Sequence, residues 1–293
     1  LMNLEPYKAK LEGKTFIIVI GQYYNMGGAE AAAIILGKEL RKQYDAKVIF
    51  VAGTLQTGVV KEYIESLGFK ALHFSFAYNA KPIKKVISYF KLVRFFRMQK
   101  PDYLLPYIGG NNKMVLPIWK YTGAKYSWWM QQDEGRGLYK TKFEKWLISQ
   151  ASDVISNSVV GMDFMEDAYG LNKDKMVHYN NVINVPDAEG LKPYWKSHLG
   201  IKEDVIVVSM IANITPFKDH KTLFKAWRSV ENHFKLQQKD VFLLLAGRPE
   251  DKVLQELKIL GFDLHISNSI CFLGGTKRTN ELINESDLVV HSS

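Results

Sequence analysis

Strand-like apolar runs alternate with amphipathic segments along the whole of this sequence, and that alternation constrains the fold more than any single motif. The runs TFIIVIG (15–21), KVIFVAG (47–53), KALHFSF (70–76), DYLLPYIG (102–109), KYSWWMQ (125–131), DVISNS (153–158) and MVHYNNV (176–182) read as strands. Helical periodicity falls between them near 29–43, 58–67, 82–99, 111–122, 138–150 and 159–169. In the first of these, Ala29, Ala32, Ala33, Leu36 and Leu40 share one face. Strands that are apolar throughout must be covered on both sides, so the expected class is α/β, a parallel sheet with helices on both faces.

Two prolines, glycines and charges interrupt the rhythm in INVPDAEGLKPYWKSHLGIKED (183–204), which reads as an interdomain linker. Alternation then restarts with strands at 205–213, 241–247, 270–275 and 287–293 and helices at 218–234, 251–260 and 279–285. At 293 residues the chain is long enough for two cores. The expected organisation is an N-terminal domain over 1–187, a linker over 188–204 and a second domain over 205–293. The last strand has no covering helix after it, so the second domain is expected to be incomplete.

No apolar run reaches the roughly 18 to 20 residues needed to cross a bilayer, and the N-terminal stretch has no apolar signal core. The single cysteine, Cys271, excludes an internal disulfide and fits a reducing cytoplasm. The net charge of +9 favours anionic partners. Neither paired Cys/His spacing nor an aromatic-glycine RNA-binding stretch is visible, so nucleotides and lipid headgroups are better candidates than nucleic acid.

Two motifs carry chemistry. NMGGAE (25–30) sits between the first strand and the first helix. Gly27 and Gly28 serve there either as a tight turn or as a place where the backbone approaches a phosphate, with the free N–H groups of the helix start behind them. MIANITPFKDHKTLFKAW (210–227) sets Lys218 just past a strand and a proline turn. A lysine there neutralises a diphosphate at the carboxyl end of the sheet, or is a solvated member of the basic KDHK run.

Taken together, strand–GGAE–helix, NSVVGMDFMEDAYG followed by HYNNVIN, VSMIANITPFKDHKTLFKAW, LLLAGRPED and ICFLGGTKRTNELINESDLVVHSS resemble, in order and spacing, the family 4 retaining glycosyltransferases of GT-B fold. The resemblance runs over about residues 15 to 293. It implies two Rossmann-like, doubly wound domains, the second one incomplete here, with a cleft that takes a nucleotide-diphosphate sugar, UDP- or GDP-linked, and no metal or other cofactor. It assigns Gly27 and Gly28 to the donor diphosphate and the acceptor entrance, and Lys218 to the diphosphate as the catalytic cation.

The chain departs from the family pattern in several places. Where relatives carry an arginine ahead of the lysine, this sequence has Asn213, which donates a hydrogen bond without charge. Arg248, where relatives have a glycine-rich turn, is a candidate replacement or a surface arginine. Where relatives place a histidine, the sequence reads WWMQQDEGRG; Gln132, Asp133, Glu134 and Arg136 are candidate acceptor contacts or a solvated loop. The Ser-x-x-Glu-Gly stretch and second glutamate that hold the donor in relatives are not reached by Ser293, so this chain alone is expected to be poorly active.

The helix over 82–99 is expected to turn Ile83, Val86, Ile87, Phe90 and Val93 to the core. Lys84, Lys85, Lys91 and Arg94 gather opposite with Leu92, Phe95 and Met98 among them, a face that suits an anionic membrane surface or is an ordinary surface helix. Lys84, Lys85, Lys91, Arg94 and Phe95 are the expected membrane contacts. The function expected is transfer of a sugar to a cell-envelope glycan, glycolipid or lipid-linked acceptor by a cytoplasmic, peripherally membrane-bound enzyme. The alternatives are a non-catalytic carbohydrate- or nucleotide-binding scaffold and, less well matched, an epimerase or phosphorylase of the same architecture.

Overall fold

A computed structural model describes residues 10–24, 26–53, 57–77, 81–182 and 190–292. Contacts divide the chain into two units, Leu1–Asn184 and Val185–Ser293. The boundary expected at residue 187 lies outside the described residues.

The first unit runs β1 (Thr15–Ile20), α1 (Gly28–Tyr44), β2 (Lys47–Ala52), α2 (Val59–Ser66), β3 (Lys70–His73) and α3 (Pro82–Gln99). It continues with β4 (Tyr103–Pro106), α4 (Gly109–Val115), β5 (Tyr126–Gln131), α5 (Lys142–Gln150), β6 (Asp153–Ser156), α6 (Val159–Tyr169) and β7 (Met176–His178). The strands form one parallel sheet in the order β3-β2-β1-β4-β5-β6-β7. Because neighbouring side chains alternate across a strand, Ile17 and Val19 enter one core with Leu92, Phe96, Leu147 and Met165. Phe16, Ile18 and Ile20 enter the other with Ala33, Ile34 and Leu40. The helix expected at 111–122 is two pieces, α4 and a single 3-10 turn at Trp119–Tyr121, because Pro117 cannot continue the ladder of backbone bonds.

The second unit holds α7 (Trp195–Leu199), β8 (Ile206–Ile211), α8 (His220–Leu236), β9 (Val241–Ala246), α9 (Asp251–Asp263), β10 (Ile270–Gly274), α10 (Thr279–Glu285) and β11 (Leu288–Val289). Its parallel strands lie in the order β10-β9-β8-β11. Residues 190–204 do not behave as a linker. Trp195 is buried against Val207, Leu244 and Leu282, and the Glu285 carboxylate accepts the N–H groups of Tyr194 (2.6 Å), Trp195 (2.8 Å) and Lys196 (2.9 Å). A carboxylate some ninety positions away thus satisfies the unpaired first turn of α7, a partnership that local composition does not reveal.

The facing of α3 reverses the expectation except at Val93, which packs against the core. Ser88, Leu92 and Phe96 are buried, while Ile83, Val86, Ile87 and Phe90 are exposed. Phe95, expected at a membrane, packs inward on Phe74 with ring centroids 5.2 Å apart. Both faces of this helix are apolar, so periodicity is ambiguous. The inward face wins because Leu92, Phe95 and Phe96 form a broad ridge, and the small Ser88 lets the helix approach closely enough for its hydroxyl to accept the Ala77 N–H (3.3 Å). Phe96→Ala is therefore expected to lower stability by about 3–5 kcal/mol, and Phe90→Ala by less than about 0.5 kcal/mol. Denaturant unfolding followed by circular dichroism distinguishes the two; equal losses would contradict this facing.

Candidate functional site

In an open parallel sheet, ligands bind beyond the carboxyl ends of the strands where the chain reverses its winding direction, since loops diverge there and leave a crevice. The strand order of the second unit puts that point between β8 and β11. The loop leaving β8 contains every residue singled out there from the sequence except Arg248. Ala212 N–H bonds the Ala246 carbonyl (2.9 Å) and Ile214 N–H the Arg248 carbonyl (2.9 Å), so the loops after β8 and β9 run side by side. Glycine is needed at 247 because a Cβ there would lie 2.0 Å from the Ala212 carbonyl oxygen.

Asn213 accepts the Arg248 N–H through its side-chain oxygen (3.1 Å), which orients its NH2 as an outward donor. Arg248 is exposed, with its side chain close against Gly275, where a Cβ would lie 2.9 Å from the Arg248 Cγ. Lys218 ends a 3-10 turn, Pro216–Lys218, and is followed by Asp219 in the left-handed region at φ 40°. Ser292, just past β11, donates its hydroxyl to the carbonyls of Lys218 (3.1 Å) and Asp219 (3.0 Å). The turn that carries Lys218 is thereby tied to the switch point. Neither Lys218 nor Arg248 is ion-paired among the described residues.

His220 was not distinguished from its basic neighbours in the sequence. It is buried, and neither ring nitrogen has a hydrogen-bond partner among the described residues. Burial lowers its pKa, and nearby His291 lowers it further, so the ring is neutral at ordinary pH. As the first residue of α8 it points inward, while Lys221 beside it pairs with Glu256 at 2.7 Å on the surface.

The first sheet reverses between β1 and β4. Gly27 caps α1 with ordinary extended backbone, φ −119°. Its N–H donates to the Glu30 carboxylate (3.1 Å), and a Cβ at 27 would sit 2.7 Å from that oxygen. A side chain at 27 would displace the Glu30 carboxyl, a buried group whose pKa burial raises. Gly28 faces open space, and as the first residues of α1 Gly28 and Ala29 have N–H groups without an intrahelical acceptor. Across the switch point, Ile108 has φ 73° and ψ 152°, a region open almost only to glycine. Backbone strain of this kind concentrates where function requires a fixed geometry. The glycines that follow, Gly109 and Gly110, repeat the GG signal at the start of α4.

The loop after β5 carries the four expected acceptor contacts. Asp133 is occupied as a turn-former, its Oδ1 accepting the N–H groups of Gly135 (2.9 Å) and Arg136 (2.9 Å). Glu134 and Arg136 are exposed and paired at 3.1 Å, and Gln132 is half-buried. The far end of the loop is anchored by Glu144, which receives Lys113 Nζ (2.7 Å), the N–H groups of Tyr139 and Thr141, and the Tyr169 hydroxyl (3.1 Å). Lys113 also donates to the Gly137 carbonyl (3.1 Å). Among the described residues no group of three His, Cys, Asp or Glu is arranged to hold a metal ion.

Residues 192–293 match the family model described as Glycosyl transferases group 1. No curated protein sequence matches the chain. Solved structures do. HepE of Anabaena, in complex with UDP and glucose, is 17% identical with TM-score 0.76 over 96% of this chain and 74% of that one. A glycosyltransferase from Rickettsia africae ESF-5 is 17% identical with TM-score 0.75, covering 96% and 73%. A variant of S. aureus TarM, in complex with fondaparinux, α-GlcNAc-glycerol and UDP, is 9% identical with TM-score 0.67, covering 96% and 81%. The two parallel sheets, seven strands and then four, are those of the GT-B glycosyltransferase fold.

Glu144 makes the loop after β5 sensitive to acid. Burial raises its pKa, but the hydrogen bond from Lys113 and those from the Thr141 and Tyr139 N–H groups outweigh burial and hold the carboxyl at about 2. A carboxyl depressed in the folded state contributes fully above its unfolded pKa, near 4.3, and loses that contribution as pH falls towards 2. The stability at stake is about 2–3 kcal/mol. Unfolding measured at pH 7 and pH 3 is expected to show a clearly smaller acid loss in Glu144→Gln than in the parent chain.

Proposed function

We propose that this chain is a retaining glycosyltransferase that moves a sugar from a nucleoside-diphosphate sugar, UDP- or GDP-linked, to a cell-envelope glycan, glycolipid or lipid-linked acceptor. One observation carries the reading: in the segment that matches the glycosyl transferases group 1 model, Lys218 sits in a turn tied to the switch point, Asn213 and Arg248 lie on the adjoining loops after β8 and β9, and both cations are outside any ion pair among the described residues. Unneutralised cations beside a crevice call for an anionic ligand. The UDP in the solved structures of HepE and TarM supports a uridine nucleotide.

In the reaction the acceptor hydroxyl oxygen attacks the anomeric carbon from the side on which the diphosphate departs. The bond from that carbon to the diphosphate oxygen breaks, its electron pair stays on the nucleoside diphosphate, and the acceptor proton passes to the same oxygen. Negative charge grows on the leaving group, and the Lys218 ammonium stabilises it there more than in the ground state. Removing one preorganised donor of this kind costs about 10²–10³ in rate. Asn213 adds a neutral hydrogen bond, so more of the charge falls to Lys218 and Arg248. In the first unit, Gly28 and Ala29 offer the N–H groups of a helix start, while Gln132, Glu134 and Arg136 supply polar groups for acceptor hydroxyls. Asp133 acts by shaping their loop.

Calorimetric titration with UDP, GDP and UDP-glucose tests the proposal. Binding of one nucleotide is expected, with affinity reduced at least about tenfold in Lys218→Ala, the equivalent of one charge-assisted contact. Absence of binding to all three overturns the reading, and binding indifferent to Lys218→Ala removes the role given to that lysine.

A further inference from the structure

The outward face of α3 is unusual for a surface helix. Ile83 is 76% exposed, Val86 53%, Ile87 48% and Phe90 74%, on successive turns of a single helix face. Scattered exposed apolar side chains need no explanation, but a contiguous stripe marks a surface that meets something other than water. The stripe does not stand alone. Val86, Phe90 and Val93 form one wall of an open groove of about 490 Å³ whose other wall is Pro117, Ile118 and Tyr121. The groove is held in shape from across the sequence, since Arg97 donates its Nε–H to the Tyr121 carbonyl (2.7 Å) and Tyr89 its hydroxyl to the Lys113 carbonyl (3.2 Å).

The charge around the stripe selects the occupant. Helix α3 contains Lys84, Lys85, Lys91, Arg94 and Arg97 and no acidic residue. None of these cations is ion-paired among the described residues. Lys84, Lys91, Arg94 and Arg97 are exposed beside or just beyond the apolar stripe, and Lys85 is tucked towards the body of the unit. A protein partner of matching shape would ordinarily meet an apolar core with a mixed-charge rim. A linear apolar stripe with cations along one flank and at its C-terminal end, on a helix without acidic residues, instead complements a surface that is apolar within, uniformly anionic at its boundary and free of fixed shape. No helix of the described chain is long and apolar enough to cross a membrane, so the relevant geometry is a helix lying in the interface plane.

We propose that the outward face of α3 docks on an anionic phospholipid bilayer, with Ile83, Val86, Ile87 and Phe90 entering the boundary of the acyl region, Lys84, Lys91, Arg94 and Arg97 meeting the headgroups, and the groove beside Phe90 receiving part of an acyl chain. The residues that enter the lipid are those that periodicity assigns to the core, and Phe95 is not among them. The docking is a property of the first unit and is independent of whether the second unit transfers a sugar.

Vesicle co-sedimentation tests it. The chain is incubated with vesicles of phosphatidylcholine alone and of phosphatidylcholine with phosphatidylglycerol, at about 0.1 M and 0.5 M salt, a range over which screening weakens surface attraction. The expected result is binding to the anionic vesicles, weakened severalfold by the higher salt, and reduced at least about tenfold in Ile83→Asp/Phe90→Asp, because a charge is expelled from the acyl boundary. Both substituted positions are exposed, so the fold is retained, which circular dichroism checks. Leu236→Asp, an equally exposed apolar position on α8, controls for general loss of surface apolarity and is expected to bind as the parent does. Failure to bind anionic vesicles, equal binding to neutral ones, or binding indifferent to the α3 substitutions each overturns the proposal. So does sedimentation equilibrium showing a dimer that the α3 substitutions dissociate without any vesicle binding, which would make the face a contact between copies.

Discussion

The parallel pairing of β1 with β2 and β4, and of β8 with β9 and β11, is the constraint from which the remaining features follow. A parallel strand cannot turn back on its neighbour by a hairpin; each connection crosses a face of the sheet, so the strands are buried on both sides and their carboxyl ends all open at one edge. Polar loops then have one place to collect. Gly27, Ile108 and the Asp133 loop hang from the carboxyl ends of β1, β4 and β5, which adjoin in the first sheet. Asn213, Arg248 and Ser292 do the same at β8, β9 and β11 in the second.

Within that frame, backbone N–H groups and carboxylates do much of the positioning. Glu30 closes the glycine loop, Glu144 anchors the end of the loop after β5, Asp133 folds its start, and Glu285 ties the entry of the second unit to α10. Each of these carboxylates satisfies N–H groups that a turn or helix start leaves unpaired. The cations differ. Lys218 and Arg248 remain outside ion pairs among the described residues. The net charge of +9 leaves a surplus of cations over the chain as a whole, and in α3 that surplus borders an apolar stripe.

Much of this was legible in the residues. Strands and helices fall where apolar runs and helical spacing put them, because burial on both faces leaves a periodic trace in a local window. The glycine pair and the lysine turn announced themselves through residue types with unusual backbone or charge. The second glycine pair, Gly109-Gly110, carries the same signal directly behind an apolar run, and the strained Ile108 ends that run. His220 was masked by the lysines on either side, because charge composition does not tell which residue of a helix start turns inward.

What the sequence alone determined is the class: α/β, parallel, two sheets, with a ligand edge at the ends of the strands. These properties depend on side-chain polarity in short windows. Tertiary structure decided the rest. The strand order sets the switch points, and no local pattern encodes which strand joins which edge. It assigned Asp133 to its own loop and made a packed helix of residues 195–199 where a linker was expected, through a carboxylate some ninety residues away. It also chose between the two apolar faces of α3. Periodicity identifies a helix with two such faces but cannot rank them, because the choice depends on how Ser88, Leu92 and Phe96 fit against a sheet assembled from distant segments.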